Sequence, residues 1–413
     1  MGHSFPTFTF QEKMKKKVII VSHGLRIGGV ERSLIGILRC FDYNSYDVDL
    51  FLFIHDGEFM SMIPKEVNLL PENGKYASVL MSLGEIIKKT YFDILGGKII
   101  ATFLSDWYCR KNKLKQKNMV YSTYLQKYTS TFLPEINNKE YDLAISFLTP
   151  HYIVADKVKS RKRVAWIHTD YSFFDFDKKV ESKMWHKYDF IASISESCTK
   201  SFITQFPELK EKIVLIENIL SPSFVREQAK AIDVESEIPK EKDIINICSI
   251  GRFSHPKNFD NVPFICKYLI DWGMNVRWYL IGYGRDEALI CSKIAEAGMQ
   301  NRVVVLGKKE NPYPYLNACD IYMQPSRYEG KAVTVREAQM LCKPVIITDF
   351  ATSASQLQDG IDGIIVPMNN EDCAKGIQAL IKNKSLQQKL TANCQNSNFG
   401  NEKEVEKIYK LIM

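Results

Sequence analysis

The feature that most constrains this chain is an alternation that occurs twice. Short apolar runs rich in β-branched residues end in glycine or a polar residue, and stretches with helical spacing of apolar residues follow. "KVIIVSHG" opens the first series. A loop with Gly28 and Gly29 comes next, then "VERSLIGILRCF", in which Val30, Leu34, Ile37, Leu38 and Phe41 fall on one helical face. "YDVDLFLFI", "YDLAISFL", "KRVAWIH" and "DFIASIS" carry the series to about Leu220. The second series runs through "IINICSIGRF", "VRWYLIGYG", "RVVVLGK", "CDIYMQPS", "KPVIIT" and "GIIVP". Between them, Ser221 to Lys242 carries two prolines and many charges without an apolar period, and reads as a linker.

A continuous apolar strand is buried on both faces, and alternation with helices puts such strands in a parallel sheet. The expected fold is therefore α/β, with two tandem Rossmann-like, doubly wound domains at 14–222 and 241–395. A closing segment, 396–413, carries Val405, Ile408, Leu411 and Ile412 on one stripe that must dock somewhere. A chain of 413 residues that is 45% hydrophobic has enough apolar material for two cores of this size. In open α/β sheets ligands sit beyond the carboxyl ends of the strands, so a cleft shared by two such domains is the expected site.

Composition narrows the class. A net charge of +7 suits a surface that meets anions without choosing among them. The ten cysteines show no C-x-x-C pair and no zinc or disulfide spacing; they read as small buried hydrophobes in a reducing cytoplasm. The apolar run behind the first lysines, "VIIV", is too short for a signal-peptide core, and Met14 is an alternative start that would make the first thirteen residues a dispensable tail. No stretch reaches the roughly 18 to 20 apolar residues of a spanning helix. The nearest, Ala77 to Lys117, reads as one or two amphipathic helices with two readings open: a membrane-surface face carrying Phe92, Phe103, Trp107, Tyr108 and the basic trail Arg110 to Lys117, or core-facing helices with a solvated basic loop. The first would place a cytoplasmic protein peripherally at the inner face of the cytoplasmic membrane.

Candidate chemistry lies just after strands. In "PSRYEGKAVTVREAQMLCKPVI", Glu329 precedes a short helix and Glu337 lies within it. Two carboxylates flanking a helix amino terminus can each accept hydrogen bonds from a vicinal diol while the free N–H groups meet a diphosphate. As an isolated pair they fit equally a surface glutamate and a helix-start residue favoured by the dipole. In "SIGRFSHPKNFD", Arg252 and Lys257 follow Gly251 in the loop before a helix expected from Asn258; a guanidinium fork and an ammonium can neutralise a departing diphosphate, or be two solvated cations. "IGYGRDE" has Gly282 and Gly284 but no full G-x-G-x-x-G, so its glycines read as sites of close backbone approach. Gly28 and Gly29 permit amides to approach a ligand, or simply make a tight turn. His168 and Asp170 follow the strand in "RVAWIHTD", where a histidine binds a sugar hydroxyl or phosphate, or is structural. Asp47/Asp49 and Asp175/Asp177 are Asp-x-Asp pairs of a commonplace kind, and no metal site is assigned to them.

The order of these motifs resembles the family-4 retaining glycosyltransferases of the GT-B fold over nearly the whole chain. The resemblance is carried by "GGVERSL", "WIHTD", "GRFSHPKNFD", "LIGYGRDE", "NPYPYLNACDIYMQPSRYEGKAVTVREAQMLCKPVIITD" and "GIDGIIVP". "NPYPY" with "SRYEGK" is most similar to members that build capsule, O-antigen or other bacterial surface polysaccharides. The resemblance implies a nucleotide sugar donor, UDP- or GDP-linked, a glycan or polyprenyl-linked acceptor, no cofactor, no metal and no nucleic acid. It further implies that Arg252 and Lys257 hold the donor diphosphate and that Glu337 takes the ribose. Glu329, with the amides after Gly330 through Lys331, Ala332 and Val333, would position the transferred sugar. Gly28 and Gly29 close on phosphates or acceptor, His168 lies by the transferred sugar, and Gly307, Lys308, Asn311, Pro312 and Tyr313 border the base beside the Gly251 and Gly282 turns. One departure is Lys331-Ala332, where many relatives have an aromatic residue and then Gly or Pro; Lys331 selects an acidic or phosphorylated group, or points to solvent. Transfer with retention by front-face attack is the expected chemistry. Sugar-nucleotide 2-epimerases and a non-catalytic nucleotide-sugar-binding subunit are the alternatives. A nicotinamide enzyme fits the folds but lacks the glycine fingerprint.

Overall fold

Buried β-branched runs decide the architecture. In the computed structural model, which describes residues 14–26, 29–114, 116–148, 151–329 and 332–413 apart from the Phe173 side chain, the first such run forms β1 (Lys16–Ser22), buried from Val18 onward. It lies between β2 (Tyr46–Leu52) and β4 (Glu140–Ser146), with β3 (Asn68–Leu69) outside β2. β5 (Lys159–Ile167), β6 (Phe190–Ser193) and β7 (Ile213–Leu215) extend the other side, giving the order β3-β2-β1-β4-β5-β6-β7 with every neighbouring pair parallel. β3 and β7 escape the sequence pattern because two and three residues are too few to show a period.

The second sheet is built the same way from β8 (Ile245–Ile250), β9 (Val276–Ile281), β10 (Val303–Gly307), β11 (Ile321–Gln324), β12 (Val345–Thr348) and β13 (Ile364–Val366), in the order β10-β9-β8-β11-β12-β13, all parallel. Chain direction across the sheet reverses at β1/β4 in the first unit and at β8/β11 in the second, and these switch points are where open α/β sheets take ligands.

One unit ends at Ile219 and is rejoined by Glu402–Met413; the other is Leu220–Asn401. The segment read as a linker is part of the second unit. Pro222–Gln228 is a helix with Phe224 and Val225 buried, and Val234 and Ile238 join the core formed by Cys248, Tyr279 and Tyr322. Its apolar residues lack a period because a one-turn helix and two bends each tuck in one or two side chains. The closing helix, Val405–Ile412, docks in the first unit: Val405, Ile408 and Leu411 are buried, and Tyr409 stacks on Tyr46 with ring centroids 4.3 Å apart. Within the Ala77 to Lys117 stretch three helices form, ending Gly74–Leu80, Leu83–Lys88 and Phe92–Lys111. No helix among the described residues is long and apolar enough to cross a membrane. All ten cysteines are unbridged; seven are buried as expected, whereas Cys291 is exposed.

Candidate active site

At the switch point of the second sheet, two loops from neighbouring strands are tied together by charge. Lys257, after β8, places its Nζ 2.5 Å from Oε1 of Glu329, after β11. The same carboxylate oxygen accepts from Ser326 Oγ at 2.6 Å and Gln324 Nε2 at 3.1 Å, so Glu329 is held by two donors at the strand end it follows and by Lys257 from the other loop. Beside this pair, Arg327 grips Asp260 through two N–H···O bonds of 2.9 and 2.8 Å and donates to the His255 carbonyl. Such a fork is directional as well as strong, and fixes the two loops in register. Burial is the largest single effect on the Asp260 carboxyl and raises it, but the hydrogen bonds and charge of Arg327, with smaller contributions, together bring it below its usual range. Asn258 adopts a left-handed φ of 60° and donates to the Pro325 carbonyl at 2.8 Å. The helix expected from Asn258 therefore starts at Val262, after a one-turn 3-10 segment at His255–Lys257. Arg252 is exposed, and its guanidinium makes no ion pair among the described residues.

The glycines here permit contact. Gly251 packs against the Lys257 stem, where a Cβ would come within 3.3 Å of Cε. A Cβ on Gly282 would lie 1.8 Å from the Gly251 carbonyl oxygen, at a φ of +151°, and one on Gly284 would lie 2.2 Å from that of Phe253. Two backbones thus run side by side with no room for a side chain between them.

Glu337 is not the surface residue that one reading allowed. It is fully buried in the helix Val333–Met340 and accepts a 2.7 Å hydrogen bond from the Tyr313 hydroxyl. Glu329 is not a helix cap either, since its carboxylate faces Lys257. The expectation of open amides at this helix start is corrected at Ala332, whose N–H is taken by Gln356 Oε1 at 2.8 Å; Val333 is partly exposed. Gly28, Gly330 and Lys331 lie outside the described residues. Of the residues expected at the base, Asn311 donates to Gln228 at 2.8 Å, Pro312 precedes the helix Tyr313–Ala318, and Gly307 ends β10 with φ +69°. The exposed Lys308 lies over the Tyr283 ring at 5.4 Å.

In the first unit, His168 follows β5 with its ring 4.6 Å from that of Phe147, and both ring nitrogens are enclosed without a hydrogen-bond partner among the described residues. Burial draws its pKa down to about 3. Sequence reasoning missed two companions. His151 Nδ1 lies 2.7 Å from Ser146 Oγ, and burial, with smaller contributions from His168 and His23, lowers it to about 3; burial alone takes His23 to about 4. The three imidazoles, neutral at physiological pH, belong to the carboxyl ends of β1, β4 and β5. For His23 the signal was present in "VSHG", at the end of the first strand. Gly29 starts the helix Gly29–Cys40, and a Cβ there would meet nothing within 4 Å. Asp170 caps Tyr171–Phe173 through the Ser172 N–H.

The acid pairs are engaged structurally. Asp49 accepts from Tyr141, Asn68 and Lys139, while Asp47 pairs with Lys15 at 3.5 Å. Asp177 caps the helix Lys178–Trp185 and accepts from Tyr124, and Asp175 accepts from the Gln116 N–H. A cavity of about 710 Å³ opens in the first unit among His23, Arg26, Glu31, Asp56, Glu72 and Leu80. Burial raises the Glu31 carboxyl.

Two parallel-sheet Rossmann-like units are the architecture of the GT-B fold. Anabaena HepE, solved with UDP-glucose, shares this fold over 95% of the present chain and 98% of its own, at a TM-score of 0.57 and 16% identity. Residues 229–397 match the glycosyl transferases group 1 family, and the second unit is a domain of that family. Among relatives by sequence is the UDP-Gal:alpha-D-GlcNAc-diphosphoundecaprenol alpha-1,3-galactosyltransferase of Escherichia coli. It is 23% identical over 60% of this chain and 68% of its own length. Another is a Campylobacter jejuni N-acetylgalactosamine-N,N'-diacetylbacillosaminyl-diphospho-undecaprenol 4-alpha-N-acetylgalactosaminyltransferase, 23% identical over 51% of this chain and 55% of its own.

Proposed function

We propose that this protein transfers a sugar from a UDP- or GDP-linked donor to a glycan or polyprenyl-diphosphate-linked acceptor in the synthesis of a cell-surface polysaccharide. The observation that carries this reading is the Lys257–Glu329 pair beside the exposed Arg252, at the carboxyl ends of β8 and β11. Lys257 gives one of its three N–H bonds to Glu329, which leaves others for a diphosphate, and Arg252 adds a second cation. In this reading the two cations, rather than a bound metal ion, stabilise the charge that develops on the leaving group. Glu337 takes the ribose diol, and Glu329 positions the transferred sugar.

Transfer proceeds with retention. The bond from the anomeric carbon to the diphosphate oxygen breaks, and its electron pair leaves with the diphosphate. The acceptor hydroxyl bonds to the anomeric carbon on the same face, and its proton passes to the departing phosphate oxygen. His168 presents an uncharged ring to the sugar, and the cavity in the first unit takes the acceptor glycan, with the partly buried Glu31 among its walls. The printed names of the Escherichia coli and Campylobacter jejuni relatives lend support to a diphosphoundecaprenol-linked acceptor, and UDP-Gal and the UDP-glucose bound by HepE put UDP-sugars first.

The test is a thermal-shift panel with UDP, GDP, ADP and their sugars, run on the wild type, Arg252→Ala and Glu337→Ala. Stabilisation by one base's diphosphates, lost in both variants, is expected. No shift with any of them would overturn the donor site. The anomeric configuration of a product made on a lipid-linked acceptor then checks retention, and transfer that requires an added divalent cation would remove the metal-independent part.

A further inference from the structure

The helix Phe92–Lys111 is built inside out. The face it turns to the protein carries small and polar residues, Gly97, Ala101, Ser105 and Cys109, all buried. A Cβ on Gly97 would come within 2.8 Å of the Tyr128 carbonyl oxygen, so the helix sits close against its neighbour, Asn118–Ser130. Ile94 and Lys98 are buried as well, and Leu95 and Leu104 pack partly against the core, but four large apolar residues point the other way: Phe92 is 61% exposed, Ile99 54%, Phe103 68% and Trp107 52%. Their spacing of seven, four and four residues keeps them on one stripe. Leu83 and Ile87, from the short helix before it, are also about half exposed. An exposed contiguous apolar stripe marks a contact with another apolar phase, and this side of the helix has no protein against it among the described residues.

We infer that this stripe is a membrane-docking surface that lies in the interface of an anionic bilayer. Charge selects the occupant. Lys88, Lys89, Arg110, Lys111 and Lys113 are exposed at the two ends of the stripe, and the Lys111 ammonium lies over the Trp107 ring at 4.8 Å. Of the nearby acids, Asp93 and Asp106 are paired with Lys75 and Lys117, and the exposed Glu85 is held by the Ser82 N–H and hydroxyl. An apolar stripe with basic ends matches acyl chains beneath anionic headgroups, whereas a second copy of the same face would set like charges against each other. Leu80, 40% exposed, also lines the first-unit cavity, so the docking surface runs into the cavity proposed for the acceptor. A polyprenyl-linked glycan held in the bilayer would then reach the cavity without leaving the lipid. This last link rests on the proposed activity; the docking surface does not.

The test is co-sedimentation of the full chain with vesicles of phosphatidylcholine alone or mixed with phosphatidylglycerol, at low and high salt. Sedimentation velocity without lipid runs alongside. The expected result is binding to the anionic vesicles that weakens with salt, and at least about a tenfold loss of partitioning in Phe103→Ser/Trp107→Ser, whose exposed positions leave the fold intact. Lys88→Gln/Lys111→Gln should lower binding to anionic vesicles specifically. Equal recovery in the supernatant with and without phosphatidylglycerol would overturn the inference. So would a concentration-dependent dimer that the double serine variant disperses while anionic vesicles bind nothing. The nucleotide thermal shift, measured on the same samples, separates failure of docking from failure of the donor site.

Discussion

The two sheets of this protein end in opposite chemistry. At the switch point of the second, charges meet in loops: Lys257 on Glu329 and Arg327 on Asp260, with side chains only 10 to 21% exposed, and Arg252 exposed. At the switch point of the first, three imidazoles pack against aromatic rings, His151 buried and His23 and His168 partly so, and enclosure lowers the pKa of each. A largely buried ion pair is costly to break unless another charge takes the lost partner's place, so an incoming anion is favoured where it replaces Glu329 on Lys257. A buried neutral ring offers hydrogen bonds and shape but resists acquiring charge. In the proposed reading, one edge answers developing charge and the other recognises an uncharged hydroxyl-rich group.

Substitutions can break this contrast. The largest expected effect is Lys257→Ala, which should lower kcat at saturating donor by about 10²- to 10³-fold if the ammonium stabilises the leaving group; a wild-type rate in a steady-state transfer assay would remove that role. Next is Gly282→Ala, expected to cost about 2 kcal/mol or more in urea unfolding, because its Cβ would lie 1.8 Å from the Gly251 oxygen. Gly29→Ala, with open space around it, should leave stability within about 0.5 kcal/mol of the wild type or raise it slightly.

The histidines predict a pH dependence of defined sign. Their folded pKa values are depressed to about 3 to 4 from an unfolded value of 6.5, so below pH 6.5 the unfolded chain takes up protons that the native chain does not. Stability is fully present above pH 6.5 and should fall by up to about 1.4 kcal/mol per pH unit for each histidine as pH drops from there toward 4. Melting temperatures at pH 7.5, 6.5 and 5.5 check this, and a flat profile would mean the rings are accessible. The smallest effect belongs to Arg327→Lys, which keeps the charge but loses the two-pronged grip on Asp260. About 1 kcal/mol of stability and a modest rise in donor KM are expected.

The strand–helix alternation was legible because burial on both faces forces a continuous apolar run, as in Val18 to Val21. Arg252, Lys257 and Glu329 stood out because each follows a strand, and Glu337 because it lies in the short helix that begins after Glu329. Asp260, Arg327, Gln324 and Gln356 did not, since nothing local marks a residue whose partner lies in another loop. The apolar residues of Phe92–Lys111 were visible, but not their direction: with bulk on all sides, the small residues Gly97 and Ala101 decide which face packs, and that depends on how near Tyr128 comes.

By itself, then, the sequence determined two parallel α/β sheets and the loops that hold the candidate chemistry, because period and turn residues report local burial and local backbone freedom. Only the tertiary structure decided which groups meet. Lys257 and Glu329 are 72 residues apart, Asp260 and Arg327 67, and the three histidines come from three strands. Those encounters follow from the strand order, with β11 beside β8 and β4 beside β1. That order is set by crossovers that bury both faces of each sheet at once, a condition on the whole unit that no short stretch of residues expresses.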